Sequence, residues 1–157
     1  ATLLTEWQAA NEQISSYEKE INRLAHKSEP ASRLMEVKGV AEKIATATVG
    51  FAGNGHAFTS GRHFAANLGL IPKEHSSGGK QKLGGITRRG NNYLRKLLIQ
   101  GAWSVIRHAQ GADDRLSRWA RSIIERRGKH KAAVAVANKM ARILWSMLYH
   151  KTQYQAG

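Results

Sequence analysis

The sequence predicts an all-α fold. Three observations lead there. A narrow apolar stripe recurs every 3.5 residues on average at the N-terminus, broad apolar faces at i, i+3 and i+4 fill the second half, and capping residues precede several of these segments. No run alternates apolar and polar residues in a way that would make a convincing strand, and no internal repeat is visible.

The first helix carries Leu3, Trp7, Ala10, Ile14, Tyr17, Ile21 and Leu24, spaced four and three apart as an a/d seam. Such a stripe cannot be buried by one helix. It packs on its own domain or pairs with another helix, and the regular period favours a coiled-coil arm over residues 1–29. Ser28-Glu29-Pro30 ends the arm, because proline interrupts a helix. The chain opens directly in this helical pattern, without an initiator Met or signal peptide, and reads as part of a longer protein.

A helical domain is expected over residues 30–157. From Ala31, the apolar residues Leu34, Val37 and Val40 flank Gly39, and Ile44 to Val49 form a small-residue helix. An apolar-Gly-apolar turn between two short helices resembles a helix-hairpin-helix, whose amides grip phosphate; an ordinary helix–helix turn fits equally. Gly50 to His56 reads as a loop. Ser60 caps a short helix through Asn67 with Phe64, Ala65 and Leu68 inward, and Leu70-Ile71-Pro72 leads to a glycine-rich serine loop. Asn91 or Asn92 caps the next helix, whose apolar face runs from Leu94 to Ile106. Gly111-Ala112-Asp113-Asp114 is a break and a new N-terminus, with both acids suited to the helix dipole. The next helix buries Leu116, Trp119, Ala120, Ile123 and Ile124 and stops at Gly128. The last, from Lys131 to Lys151, is apolar enough to be the central core helix. Trp7, Trp103, Trp119 and Trp145 all fall on apolar stripes, which points to packing rather than base stacking.

Lys and Arg number 25 against 11 acids among 157 residues, a formal net charge of +14. That balance implies a polyanionic partner. Nucleic acid is favoured over a membrane, because cations recur along the whole chain and no long uncharged apolar run exists. There is no cysteine, so disulfides and thiolate metal sites are excluded, as befits a reducing compartment.

The chemistry concentrates between Lys73 and Lys96, where seven Lys or Arg accompany one acid, Glu74. Ser76 and Ser77 precede Gly78-Gly79. A glycine-rich loop of this kind offers bare amides, mobile cations and a hydroxyl able to attack a phosphodiester. Serine needs activation, yet the acids are scattered and the histidines form no ligand cluster in sequence. The chain therefore holds a nucleophile without its activating machinery. Lys80, Lys82, Arg88, Arg89, Arg95 and Lys96, with Thr87 and Asn91, are the candidate nucleic-acid contacts. A second set, Arg115, Arg118, Arg121, Arg126, Arg127, Lys129 and Lys131, either binds RNA or is a solvated face.

Ser77-Gly78-Gly79-Lys80, then Gly85-Ile86-Thr87-Arg88-Arg89-Gly90-Asn91, then Leu94-Arg95 with Leu97-Leu98, resembles the C-terminal domain of a bacterial insertion-sequence transposase family. This family is related to the Piv invertase and is described as RNA-guided recombinases. Phe58-Thr59-Ser60-Gly61-Arg62 and Leu68-Gly69-Leu70-Ile71-Pro72 extend the likeness over roughly residues 34–109. At the hairpin turn the family reads Pro-Gly-Val-Gly, whereas this chain reads Lys38-Gly39-Val40-Ala41. The resemblance implies a two-part enzyme in which an upstream RuvC-like domain, absent from this sequence, holds Mg²⁺ through four carboxylates. It makes Ser77 the nucleophile, with Ser76 as the fallback, in a covalent serine–DNA intermediate. It also implies DNA and a guide RNA as partners and residence in the bacterial cytoplasm at the nucleoid, while the a/d seam of the first helix points to self-association or docking on another helix of the assembly. The competing reading is a non-catalytic helical module for nucleic-acid binding and dimerisation.

Overall fold

The computed structural model describes residues 2–87 and 90–157, and leaves the side chains of residues 74–77 and 81–83 outside the description. The described chain is predominantly helical, as expected. Its order is α1 (Leu3–Lys27), α2 (Glu29–Leu34), α3 (Glu42–Ala52), α4 (Gly61–Asn67), β1 (Pro72–Ser77), β2 (Lys80–Ile86), α5 (Asn92–His108), α6 (Arg115–Arg127) and α7 (Lys129–His150), with a 3-10 turn at Ala109–Gly111.

The core surrounds α7, which packs on α5, α4 and α6. Phe64, Leu68, Leu94, Leu98, Leu116, Met140 and Leu144 are fully buried, each worth about 1.5–3 kcal/mol of transfer free energy. The expected inward faces of α4 and α5 are the observed ones. Trp145 is buried and its indole Nε1 donates to the Gly55 carbonyl at 2.9 Å. Trp103 and Trp119 are half-buried. Trp7 departs from the expectation of core packing: it is 64% exposed, because none of the described residues covers its stripe.

Among the described residues, helix α1 is tied down in its C-terminal part. Ala25 is fully buried, Lys43 pairs with Glu18 at 3.0 Å, and Asn22 donates to Glu42. Leu3, Leu4, Trp7, Ile14 and Tyr17 remain exposed along the rest. Ser28 ends α1 and caps α2 through a bond from the Ala31 amide, with Pro30 in the first turn, where its missing N–H costs nothing.

Two further sequence expectations are corrected, and the turn between α2 and α3 gains a packing role. Residues 50–52 belong to α3 rather than to a loop, and the chain turns at Gly53, whose φ is +55°. The glycine at the turn between α2 and α3 is half-buried against α5. Gly39 has φ +80°, and a Cβ there would sit 2.5 Å from the Gly101 carbonyl oxygen of α5. Its small size serves helix contact. Finally, the serine loop is an antiparallel hairpin. Its strands carry no apolar alternation, and Leu83 and Ile86 are their only large apolar residues in sequence. Its pairing is set by Gly78-Gly79, whose φ values of +60° and +79° match the type I′ hairpin turn.

The caps fall where the sequence places them. Ser60 Oγ accepts from the His63 amide, Asn91 Oδ1 from the Leu94 amide, and Asp114 Oδ2 from the Ser117 amide. Asp114 also holds Lys38 and the Ser117 hydroxyl. Burial pushes its carboxyl up, but the hydrogen bonds from Lys38 and Ser117 outweigh this and hold it well below the usual carboxylate range. Asp114→Ala is expected to cost about 1–2 kcal/mol at pH 7. With a depressed folded pKa, this contribution is complete above the unfolded value near pH 4 and is lost as pH falls through the folded one. Urea titrations of both proteins should therefore differ at pH 7 and converge in strong acid. A gap that widens on acidification would contradict the capping account.

Candidate nucleic-acid interface

The hairpin is anchored at its root. The segment Leu68-Gly69-Leu70 leaves α4 with Gly69 at φ +70°. The Arg95 guanidinium donates to the Leu68 carbonyl at 3.1 Å, and the Asn138 amide donates to the Leu70 carbonyl at 2.8 Å. The Thr87 amide donates to the Ile71 carbonyl, and Pro72 pairs with Ile86, closing the base. Two helices of the core, α5 and α7, thus fix where the hairpin starts.

Ser77 pairs with Lys80 across the two-glycine turn, and Ser76 pairs with Gln81. Ser77 therefore sits at the tip, five residues along β1 from Pro72, about 17 Å at some 3.3 Å per residue. A Cβ built at Gly78 or Gly79 meets nothing within 4 Å, so the tip stands in open space. Lys80 is exposed beside it. The Ser77 and Lys82 side chains, and Arg88 and Arg89 entirely, lie outside the described residues.

The other sequence candidates divide. Lys96 is exposed. Asn91 caps α5 with its side-chain oxygen, and half-buried Thr87 closes the hairpin base through its amide. Arg95 is not the exposed phosphate contact expected of it: it is only 7% exposed, and its guanidinium also donates to Asn92 Oδ1 at 2.7 Å. Its observed task is to hold the hairpin root.

A groove of about 1670 Å³ runs between the hairpin root, the start of α4, and helices α5, α6 and α7. Its rim carries Arg62, Lys96, Arg127, Lys131, Lys139 and Arg142. Among the described residues no carboxylate lines it, and none of the six is ion-paired. Uncompensated like charges cost stability, and a bound polyanion relieves that cost. Lys139 records the strain. Burial lowers its pKa first, and the nearby Arg115 and Arg142 lower it further. Its ammonium lies 4.1 Å from the centre of the Trp119 ring.

Sequence reasoning missed Arg62, Lys139 and Arg142. The signal for the last two was present: they interrupt an otherwise apolar helix three residues apart, on one face. Arg62 follows a cap, and only the packing of α4 on α7 brings it to the groove. The second basic set also divides. Arg127 and Lys131 line the groove, whereas Arg118 holds the Asp113 carbonyl, Arg121 donates to the Ala109 and Ala112 carbonyls, and Arg126 bonds the Ser122 carbonyl.

Among the described residues no three His, Asp or Glu side chains converge to hold a metal ion, so these donors do not fit the Mg²⁺ that the resemblance implies. No described helix is long and apolar enough to cross a membrane.

The sequence pattern of the family described as "Transposase IS116/IS110/IS902 family" matches residues 31–121. The chain is 42% identical over 155 residues to a probable family 20 transposase of Pseudomonas aeruginosa, covering 99% of this chain and 46% of that protein. It is 40% identical to the transposase for insertion sequence element IS1111A of Coxiella burnetii, covering 99% and 43%. It is 36% identical over 134 residues to the transposase for insertion sequence element IS1328 of Yersinia enterocolitica, covering 85% and 40%. The chain spans less than half the length of these curated relatives.

Proposed function

Since this chain belongs to the IS116/IS110/IS902 transposase family, we propose that it is the DNA-binding, serine-bearing part of a transposase that cuts and rejoins DNA. The observation that carries this reading is the groove rimmed by cations, none of them ion-paired among the described residues, at the root of the hairpin whose tip bears Ser77. The cations hold phosphates, and the hairpin carries Ser77 at its tip, away from the core. In the chemical step, the Ser77 Oγ attacks a phosphorus of the DNA backbone and loses its proton to solvent. The Oγ–P bond forms as the bond to the leaving strand oxygen breaks, leaving DNA joined to protein. Attack by a strand hydroxyl on the same phosphorus reverses this and frees the serine. The Mg²⁺ of this reading would be held by residues of the longer protein. A guide RNA is its second nucleic-acid partner, for which the cations outside the groove, such as exposed Arg115 and Lys129, are available. The test is covalent capture. Incubating a transposition-competent protein that contains this chain with its DNA should give an adduct that survives denaturation. Complete absence of such an adduct under turnover conditions would refute the covalent mechanism.

The same reading assigns α1 to self-association. Its exposed seam of Leu3, Trp7, Ile14 and Tyr17 is the kind of stripe that a second copy of the helix covers. Ile14 is 54% exposed and makes little contribution to the fold of a single chain. Ile14→Asp should therefore move the sedimentation profile toward the monomer while leaving the melting curve of the body unchanged. An unaltered mass distribution would exclude a coiled-coil dimer.

A further inference from the structure

The groove is not uniformly polar. Beneath its cationic rim lie Leu70, Ile99, Val134, Ile143 and the Trp119 ring. Trp119, Ile99, Val134 and Ile143 are all half-buried, so part of each side chain remains open to the groove. A duplex presents phosphates and sugars to such a surface and keeps its base faces stacked inside. The apolar floor would then stay unmatched. A single strand exposes base faces that need apolar or aromatic cover, while its backbone needs cations on the rim. The two layers of the groove fit those two needs. The rim is cationic, Ser60, Asn92, Asn138 and Ser146 add neutral polar groups, and no carboxylate lies among the described lining residues. The DNA-binding reading makes DNA, rather than RNA, the strand placed against this floor.

We infer that this groove is a binding site for an unpaired, single-stranded segment of DNA, with bases against the Trp119 floor and phosphates along the Arg62, Lys131 and Arg142 rim. The inference rests on the DNA-binding reading and specifies the form of DNA engaged beside the hairpin. Lys139 fits this role: burial and its cationic neighbours lower its affinity for a proton, and a phosphate arriving at the rim reverses that.

Fluorescence anisotropy with the 157-residue chain tests it. The probes are a labelled DNA strand of about twenty nucleotides, the duplex of the same sequence and the matching RNA strand, all at one salt concentration. The DNA strand should bind about ten-fold more tightly than either of the others. The double variant Lys131→Gln, Arg142→Gln changes two exposed side chains and should leave the melting curve intact. It should weaken the DNA strand about ten-fold and the duplex by less than about three-fold. Strand binding should also quench tryptophan emission, and Trp119→Phe should remove that quench. Duplex binding as tight as strand binding, with the double variant weakening both alike, would overturn the inference and leave the DNA-binding reading standing. RNA bound as tightly as DNA would overturn the assignment to DNA. A glutamate-rich peptide displacing the strand at equal charge would show that the groove reads charge alone, which also overturns it. Failure of every nucleic acid to bind would instead sink the underlying functional reading.

Discussion

Ser77→Ala, made in a transposition-competent protein that contains this chain, is expected to abolish the covalent protein–DNA adduct and lower recombination by about a thousand-fold or more. A nucleophile that forms a covalent intermediate leaves no alternative route of similar rate when removed. DNA affinity should stay within a few-fold, because a neutral hydroxyl hydrogen bond contributes only about 1 kcal/mol while the rim cations are untouched. Ser76→Ala should be mild, since Ser76 pairs one position further from the turn, opposite Gln81. The pair of variants separates three cases. Loss with Ser77→Ala alone supports the assignment. Loss with Ser76→Ala alone moves the nucleophile one residue upstream. Full activity in both makes the hairpin a phosphate clamp, and the chain a binding module. The readouts are a denaturing gel for the adduct and a recombination assay for the outcome.

Gly101→Ala is expected to destabilise the fold by about 2–3 kcal/mol, although Gly101 lies in the middle of α5. Helix propensity by itself predicts the opposite sign, a gain of about 0.5–1 kcal/mol. The packing decides. A Cβ on Gly101 would run into the Gly39 carbonyl oxygen and lie 2.9 Å from the Ile44 Cδ1. Backbone cannot move aside as a flexible side-chain end can. Gly39→Ala should be worse, because it meets the Gly101 carbonyl from the other side and also forces a φ of +80° on a residue with a Cβ, adding about 1–2 kcal/mol. Gly79 provides the contrast. Its φ is +79°, yet nothing lies within 4 Å of a Cβ there, so Gly79→Ala carries only the backbone cost. Thermal melts should show Gly101→Ala lowered by roughly 5–10 °C, with Gly39→Ala lower still. A Gly101→Ala protein more stable than the original would show that α3 and α5 do not approach as closely as the structure has them.

The helices were legible because their signals are local. Ser60, Asn91 and Asp114 cap where their short polar side chains can reach an amide three residues on, and each does so. Phe64, Leu94 and Leu144 are buried because each lies on a continuous helical stripe. The hairpin was hidden because its strands, rich in Lys, Ser, Gly and Gln, lack the alternation that marks a strand in a core. The Gly78-Gly79 dipeptide between polar flanks reads equally well as a flexible loop or a tight turn.

The site shows the same division. The sequence by itself determined that the chain is basic, helical and free of thiol chemistry, and that a serine stands before a glycine pair amid cations. These are properties of composition and of neighbours along the chain. Only the tertiary structure decided which cations share a surface. Arg62, Lys96, Lys131 and Arg142 are far apart in sequence, and they meet because α4, α5 and α6 all pack around α7. The same packing turned Arg95 inward to hold the Leu68 carbonyl and turned Gly39 against Gly101. A side chain's charge is written in its residue type, but whether that charge faces a ligand or a backbone carbonyl depends on contacts between segments that the linear order does not contain.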